Sequence, residues 1–325
     1  YSDKISIKDS VNTTKINGIL ENDLVDLSSK KNINLINSLL NVDLENLNFS
    51  SKNQFFFEIT KKYKIKNLNI DSILDIKELS IKNPYQIENF FPEKKKLIDL
   101  RDHKVNIKFS KNNLEMNGEG KLFLQKDFDQ ITYNLKKIDQ KYTFKTLFKL
   151  QNNLIDLKLL NYKKEKNSAA SLEMSGIYKN DKGIEFKYII LNNEDNKFEI
   201  KNLFLNENLN IVNIDYAKLD FVDLSKERNH IELKKVSNNY EISSKYFNAN
   251  KLIDDLLLND NSNKQKNIFD ENIKIKINFD KVLIGDDEFI NNLAGYLDFR
   301  NNEIIEAKLS SSFSSNEKLN FSIIS

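Results

Sequence analysis

The chain contains no cysteine and no tryptophan, and only two histidines, two prolines and seven glycines among its 325 residues. The absence of cysteine excludes disulfide bonds, zinc–thiolate centres and thiol catalysis. Neither His103 nor His230 has a second ligand at a metal-binding spacing, so we predict ordinary surface or edge positions for both. We find no residue pattern that indicates an enzyme or a cofactor site.

The chain also lacks an excess of charge of either sign. It has 50 Lys and Arg residues and 48 Asp and Glu residues, which gives a net charge of +2. Because the charges are interspersed, a nucleic-acid partner is not indicated. We predict that the basic clusters Lys94-Lys95-Lys96 and Lys163-Lys164-Glu-Lys166 and the acidic clusters Asp254-Asp255 and Asp286-Asp287-Glu288 are solvated rather than bound to lipid headgroups or cations.

Long apolar runs are missing as well. No stretch of 18 apolar residues is present, so no membrane-spanning helix is predicted. No signal peptide is recognisable at the start of the chain. Since the sequence begins at Tyr1 without a methionine and ends within a strand pattern, we expect it to be a piece of a longer protein.

What the chain does contain is a two-residue alternation of apolar and polar side chains. It is clearest in Ile273–Phe279 and returns in Ile184–Ile190, Leu114–Leu124 and Leu319–Ile323. Successive side chains of a strand point to opposite faces, so each segment has one apolar and one polar face. With turn signals every 8–14 residues, this pattern predicts a mainly β fold built as a long, twisted antiparallel meander.

A few short helices interrupt the predicted meander. Apolar spacings of three and four residues in Ile16–Leu27 and Ile33–Leu47 favour one or two helices near the start. A clearer helix is predicted over Asn250–Leu258, with Asn248 or Asn250 as its N-cap.

A short motif recurs four times with the spacing apolar, x, x, Leu, x, apolar. Its first and fourth positions differ in parity, so a straight strand would place them on opposite faces. A β-bulge or a bend at the middle pair would bring them to one face. The motif occurs at Leu44–Phe49, Ile65–Ile70, Ile76–Ile81 and Ile200–Leu205.

The second half of the chain presents a particular order of these patterns. Tyr246-Phe247-Asn-Ala249 leads into the predicted helix, and Ile273–Phe279 with Val282-Leu283-Ile284-Gly285 follows. Next come Leu293-Ala-Gly295-Tyr-Leu297 and Ile304-Ile305-Glu-Ala307-Lys-Leu309. Over about residues 170–325 this order resembles the AsmA-like proteins of the bacterial envelope, in particular those of the YhdP and TamB type.

The resemblance implies a repeating β-groove, which is an open, taco-like antiparallel sheet with an apolar concave face. It also implies a non-enzymatic role in phospholipid transport between the inner and outer membranes and in outer-membrane biogenesis. The expected location is the periplasm, with an inner-membrane anchor outside this fragment. The expected partners are phospholipid acyl chains, and inner- and outer-membrane envelope proteins at the ends of the groove.

On this basis we expect one continuous groove rather than separate domains. Its parts would be a mixed α/β region over residues 1–104, an antiparallel meander over 105–249, and a short helix, polar loop and AsmA-like strands over 250–325. The predicted lipid-facing side chains are the apolar members of the alternating segments: Phe186, Tyr188, Ile275, Ile277, Phe279, Leu297, Phe299, Leu309, Phe313, Phe321 and Ile323.

Alternation alone leaves other interpretations open. The 22 phenylalanines and 12 tyrosines could fill the dry core of a closed β-sandwich or solenoid module of a surface or adhesion protein that carries no lipid. A solenoid scaffold that binds envelope partners by strand addition is a further alternative.

Overall fold

Strands make up 77% of the computed structural model, so the mainly β prediction is confirmed. The structure describes residues 2–10, 12–27, 33–34, 37, 43–82, 90–93, 96–111, 113–179, 182–253, 272–285, 287–300, 303–313 and 317–324. Contacts divide it into two compact units, Tyr1–Leu154 and Ile155–Ser325.

The N-terminal unit is an antiparallel meander of eight strands. Each strand pairs with the next one along the chain. Its strands are β1 (Ser2–Asp9), β2 (Thr13–Asp26), β3 (Leu44–Thr60), β4 (Ile65–Lys82), β5 (Leu97–Ser110), β6 (Asn113–Phe123), β7 (Asp129–Ile138) and β8 (Lys141–Leu150).

The C-terminal unit begins with a small hairpin of β9 (Ile155–Leu157) and β10 (Tyr162–Lys164), joined through a 3-10 turn at Lys158–Leu160. Ten further strands pair in chain order as the main sheet of this unit. They are β11 (Ala170–Lys179), β12 (Gly183–Asn193), β13 (Asn196–Leu205), β14 (Ile211–Val222), β15 (Arg228–Val236), β16 (Asn239–Asn248), β17 (Ile273–Leu283), β18 (Phe289–Arg300), β19 (Glu303–Phe313) and β20 (Lys318–Ile324).

One pair in this sheet departs from the predicted antiparallel pattern. β16 and β17 are parallel, with Tyr240 opposite Ile275 and Ile242 opposite Ile277. Parallel neighbours require a crossover of a dozen or more residues, which residues 249–272 provide. Residues 250–253 of that crossover are helical, as predicted; the rest of the predicted helix lies outside the described residues.

The predicted helix over Ile16–Leu27 is wrong, because this segment belongs to β2. Between Asn22 and Val25 the register of β2 against β3 shifts, and such a bulge produces helix-like apolar spacings within a strand. In the second predicted helix, Ile33, Asn34 and Asn37 are helical, whereas Leu44–Leu47 is strand; the other residues of that prediction lie outside the described part.

Three copies of the recurring motif have the predicted bulge, and the fourth has a bend instead. The registers shift at Leu44/Asn46, Phe56/Glu58 and Asn48/Phe49, which lie at or directly opposite the first three copies. In the fourth copy, Asn202 has a positive φ of 50°, which turns Ile200 and Leu203 to the same face. The motif therefore marks places where strands bend while the apolar face continues.

Candidate functional site

A continuous apolar surface covers one face of the main sheet of the C-terminal unit; we call it the apolar face. Its central row is defined by cross-strand pairing from β11 to β20. The row consists of Met174, Ile189, Ile200, Ala217, Leu233, Ile242, Ile277, Gly295, Leu309 and Phe321.

Most of the predicted lipid-facing residues lie on this face. A second row, parallel to the first, joins Tyr240, Ile275, Leu297, Ala307 and Ile323 across β16 to β20. Phe186, Ile275 and Phe299 pack against the buried cluster formed by Leu203, Ile214, Ala217, Tyr240 and Ile273. The structure thus brings predicted residues from β12, β17, β18, β19 and β20 to one surface.

Tyr188 was predicted to lie on the same face as Phe186, and this is wrong. Ser175 is opposite Tyr188 and Gly176 is opposite Phe186, so Lys187 is an extra residue in β12. Because of this bulge, the side chains that follow Lys187 point to the face opposite the one that strict alternation predicts. Ile189 therefore lies on the apolar face, where Tyr188 was expected. The Tyr188 hydroxyl instead donates to Glu173 Oε1 at 2.9 Å on the opposite face.

The opposite face of this sheet is polar and carries several ion pairs. The same arrangement occurs at Tyr216 and at Tyr296, whose hydroxyls donate to Glu232 at 2.9 Å and to Glu306 at 2.7 Å. Each glutamate also forms an ion pair with the lysine two residues later. Hydrogen bonds from Lys234 and Lys308 lower the pKa of these carboxyl groups. The polar face therefore suits contact with water.

Exposure varies along the apolar face. Most of its side chains are half-buried, whereas on β20 the side chains of Phe321 and Ile323 are 48% and 37% exposed. A sheet of one layer has no second layer to cover the side chains of its apolar face. Within the described part of the C-terminal unit, the hairpin β9–β10 and residues 250–253 are the elements outside the main sheet.

These two elements cover one end of the apolar face, which we call the closed end. Tyr162 of β10 packs against Phe198 and Phe221, with ring centroids 4.7 and 5.9 Å away. Ile253 packs in a second cluster with Val282 and Ile290. The predicted lipid-facing residues Phe279 and Phe313 belong to this second cluster, so at the closed end they contact protein.

A buried hydrogen-bond network holds the closed end together. Asp223 Oδ2 accepts hydrogen bonds from the side-chain amides of Asn248 at 2.8 Å and Asn229 at 3.2 Å. Asn229 Oδ1 in turn accepts from the Asn248 backbone N–H at 2.7 Å. Asn248 Oδ1 accepts from the N–H of Asn250, the first helical residue. The N-cap position itself is Ala249, whose carbonyl oxygen accepts from the N–H of Ile253, so neither predicted asparagine occupies it. The network thus connects the β14–β15 turn to the crossover.

The residues of the closed end were missed by sequence reasoning. Ile155–Leu157 forms a three-residue strand, and a 3-10 turn follows at Lys158–Leu160. Burial raises the pKa of the Tyr162 hydroxyl, which donates to Asn193 Oδ1 at 2.8 Å. A lone tyrosine in a polar segment carries no signal of such burial.

In the N-terminal unit, His103 contradicts the prediction of a surface or edge position, because its side chain is fully buried. Asp102 has a positive φ of 46° at a bulge of β5, and this turns His103 toward the interior. Its ring stacks on Tyr133 at 5.5 Å and occupies space that any side chain at position 120 would fill. Among the described residues, neither ring nitrogen has a hydrogen-bond partner.

We expect His103 to make the protein less stable in mild acid. Burial lowers its pKa from the ordinary value of 6.5, against a weaker opposing effect of Glu119. In mild acid the unfolded chain therefore binds a proton at His103 that the folded chain does not bind. The free energy of unfolding then falls as the pH drops below about 6.5, by up to about 1.4 kcal/mol per pH unit. Urea unfolding of wild type and His103→Leu at pH 7.5, 6.5 and 5.5 measures this slope.

The matched control is His230→Leu, because His230 is part-exposed beside Asp220. This variant should keep the acid-dependent loss of stability that His103→Leu removes. An equal slope in wild type and His103→Leu would contradict the assignment to His103.

The described residues contain neither a metal-binding cluster nor a membrane-spanning helix. No group of three or more acidic or histidine side chains there could hold a metal ion. None of the described helical residues belongs to a helix long and apolar enough to cross a bilayer. Asp287 and Glu288 are exposed, whereas Lys164 is only 1% exposed, so the predicted solvation of Lys164 is wrong. Lys94, Lys95, Asp254, Asp255 and Asp286 lie outside the described residues.

Comparison with known proteins adds no relative: no family model, no curated protein and no solved structure matches this chain.

Proposed function

We propose that the C-terminal unit binds phospholipid acyl chains on its apolar face, as a non-enzymatic segment of an AsmA-like protein that supports lipid transport between the inner and outer membranes. The observation that carries this proposal is the apolar row from Met174 to Phe321. It crosses ten strands, and the opposite face is polar and carries ion pairs.

The energetics favour such a surface for moving lipid. Burying hydrocarbon contributes about 0.8 kcal/mol per CH₂, so an acyl chain that leaves a bilayer through water meets a barrier on the order of 10 kcal/mol or more. Neighbouring strands lie about 4.8 Å apart, so a row over ten strands extends for roughly 40 Å. A chain could move along such a row while it stays in contact with apolar side chains.

The proposed lipid contacts follow from the two rows and the cluster beside them. They comprise Phe186, Ile275, Ile277, Leu297, Phe299, Leu309, Phe321 and Ile323. Tyr188 is omitted because it lies on the polar face. Phe279 and Phe313 border the closed end, where lipid would stop against the cluster that contains Ile253. In the AsmA-like setting the protein would act in the periplasm, between envelope proteins of the two membranes.

A second candidate function has one observation in its favour. The closed end is packed as a dry protein core, with Phe221 fully buried and Val282 nearly so. A surface or adhesion module with such packing over its whole face would carry no lipid. The two functions differ in whether the half-buried residues of the central row contact a bound lipid.

Photo-crosslinking tests the proposal directly. Benzoylphenylalanine placed at Ile277 or Leu309 should form phospholipid adducts in cells, whereas at Lys276 or Lys308 it should form few, because adjacent residues of one strand point to opposite faces. Adducts are identified by mass spectrometry of the purified chain. Equal labelling of both faces, or no labelling, would exclude a lipid-binding apolar face and favour the module without lipid.

A further inference from the structure

An open groove of about 830 Å³ crosses β1 to β5 in the N-terminal unit. Its walls are two neighbouring rows of cross-strand partners, whose side chains point to the same face because in every strand they are two residues apart. One row consists of Ser6, Asn17, Phe56, Asn69 and Ser110, and the other of Lys4, Ile19, Gln54, Asp71 and Lys108. Five strands at a spacing of about 4.8 Å make the groove roughly 19 Å long.

The groove opens on the face that carries these two rows, which we call the groove face. The residues between the rows, such as Gly18 and Phe55, direct their side-chain positions to the opposite face. There the ring of Phe55 fills the space over Gly18, since a Cβ atom at position 18 would lie 2.6 Å from Phe55 Cζ. On the groove face these residues present only backbone, so they form a floor between two walls of side chains.

The first row is symmetric about an aromatic ring. Asn17 and Asn69 are the cross-strand partners of Phe56, and Ser6 and Ser110 come next on the two sides. Phe56 is half-buried, whereas the two amides and the two hydroxyl groups are exposed. The middle of the groove is therefore an apolar surface between groups that both donate and accept hydrogen bonds.

Most polar side chains of the groove are not engaged with protein. Within the described residues, Asp71 and Lys108 form no ion pair although they are direct cross-strand partners. Asn69 uses one amide hydrogen, which it donates to the backbone oxygen of Asn67 at 3.0 Å. The polar side chains that form no hydrogen bond or ion pair with a described residue include Ser6, Asn17, Gln54, Asp71, Lys108 and Ser110.

The groove face is different just outside the two rows. Lys15 forms an ion pair with Glu58 at 3.8 Å on one side of the groove, and Lys52 forms one with Glu21 at 2.6 Å on the other side. The neighbouring rows thus satisfy their charged groups within the sheet. The groove between them keeps its hydrogen-bonding groups available to a ligand.

This combination of groups limits the class of ligand. Sugar hydroxyl groups donate and accept hydrogen bonds, as do serine hydroxyls and asparagine amides taken as a whole. The C–H groups on one side of a pyranose ring form an apolar surface, which packs well on an aromatic ring such as that of Phe56. Lys4 and Lys108 lie at the two ends of the groove with Asp71 between them, so the positive charge that a nucleic acid needs is not concentrated here.

We propose that the groove binds a neutral, extended oligosaccharide. One sugar ring stacks on Phe56, and its hydroxyl groups bond to the amides of Asn17 and Asn69. The neighbouring rings extend across the strands toward Ser6 and Ser110. This inference goes beyond the proposed lipid function, because it concerns the other unit and a different class of ligand.

A fluorescence titration tests the site. The 325-residue chain contains no tryptophan, so Phe56→Trp introduces a single fluorophore at the middle of the groove and keeps an aromatic surface there. Titration with cellotetraose should shift the tryptophan emission to shorter wavelength and reach saturation, because the bound sugar displaces water from the indole ring. Isothermal titration calorimetry of the wild type with cellotetraose should detect the same binding, and Phe56→Ala should weaken it at least about tenfold.

Ile73→Trp is the matched control, because Ile73 lies on the groove face of β4 two residues beyond Asp71, is 54% exposed and is outside the groove. Its emission should not respond to cellotetraose. Combining Asn17→Leu and Asn69→Leu with Phe56→Trp should weaken binding at least about fivefold, since both amides are lost while the aromatic surface stays. Far-UV circular dichroism checks that each variant is folded.

Three results would overturn the oligosaccharide site. The first is a folded Phe56→Trp variant whose emission does not respond, together with no heat of binding in the wild type. The second is an equal response of Ile73→Trp, which would mean that cellotetraose acts on the surface without a site. The third is unchanged binding after both asparagines are replaced.

Discussion

Replacing Phe221 with alanine is expected to lower the free energy of unfolding of the C-terminal unit by about 3–5 kcal/mol. Phe221 is fully buried and its ring lies 5.3 Å from that of Phe198 and 5.9 Å from that of Tyr162. The truncation removes apolar contacts and leaves a cavity between the hairpin and the sheet. Urea unfolding followed by far-UV circular dichroism measures the loss, and hydrogen exchange assigns it to residues 155–325.

Leu224→Ala provides the control within the same turn region. Leu224 is 53% exposed, so its truncation should cost no more than about 0.5 kcal/mol. Equal effects of the two variants would mean that the hairpin does not pack on Phe221 in solution. The closed end would then be open, and acyl chains could extend past it.

Much of the fold could be predicted from side-chain alternation. Strand β17 is the clearest case, because Ile273, Ile275 and Ile277 all lie on the apolar face, as their spacing indicates. The alternation works there since the paired part of β17 has no bulge up to Phe279. The same holds for Leu297 and Leu309, which register with these residues on neighbouring strands.

Alternation predicts the wrong face for a side chain where the strand contains one extra residue. Lys187 shifts Tyr188 to the polar face, and the bulge at Asp102 turns His103 inward. A bulge is set by pairing with the neighbouring strand, so the strand's own sequence gives little sign of it. The recurring apolar, x, x, Leu motif was the one local signal, and it located four bends correctly because apolar residues of different parity must share a face.

The parallel pair and the closed end depend on contacts between distant segments. Tyr162 meets Phe221, and Asn229 meets Asn248, across many residues of chain. A chain rich in asparagine offers many candidates for such hydrogen bonds, and only the fold selects those next to Asp223. The start of the helix at Asn250 was predictable because helix starts depend on local sequence.

Replacing Ile277 with aspartate is expected to reduce phospholipid binding to the C-terminal unit by at least about tenfold, equal to about 1.4 kcal/mol. Ile277 lies in the middle of the central row, between Ile242 and Gly295. A carboxylate there would have to lose its hydration when an acyl chain covers it, and this desolvation opposes binding strongly. Co-purified lipid measured by native mass spectrometry, with circular dichroism as a check of folding, gives the result.

Asn278→Asp introduces the same charge one residue further along β17, where the side chain is exposed on the polar face. Its lipid binding should equal that of the wild type, because an exposed carboxylate keeps its water. Leu309→Asp, on β19, should repeat the loss seen for Ile277→Asp, which separates an effect of the face from an effect on one strand. If all three variants retain lipid equally, the bound lipid lies elsewhere and the apolar face packs against protein.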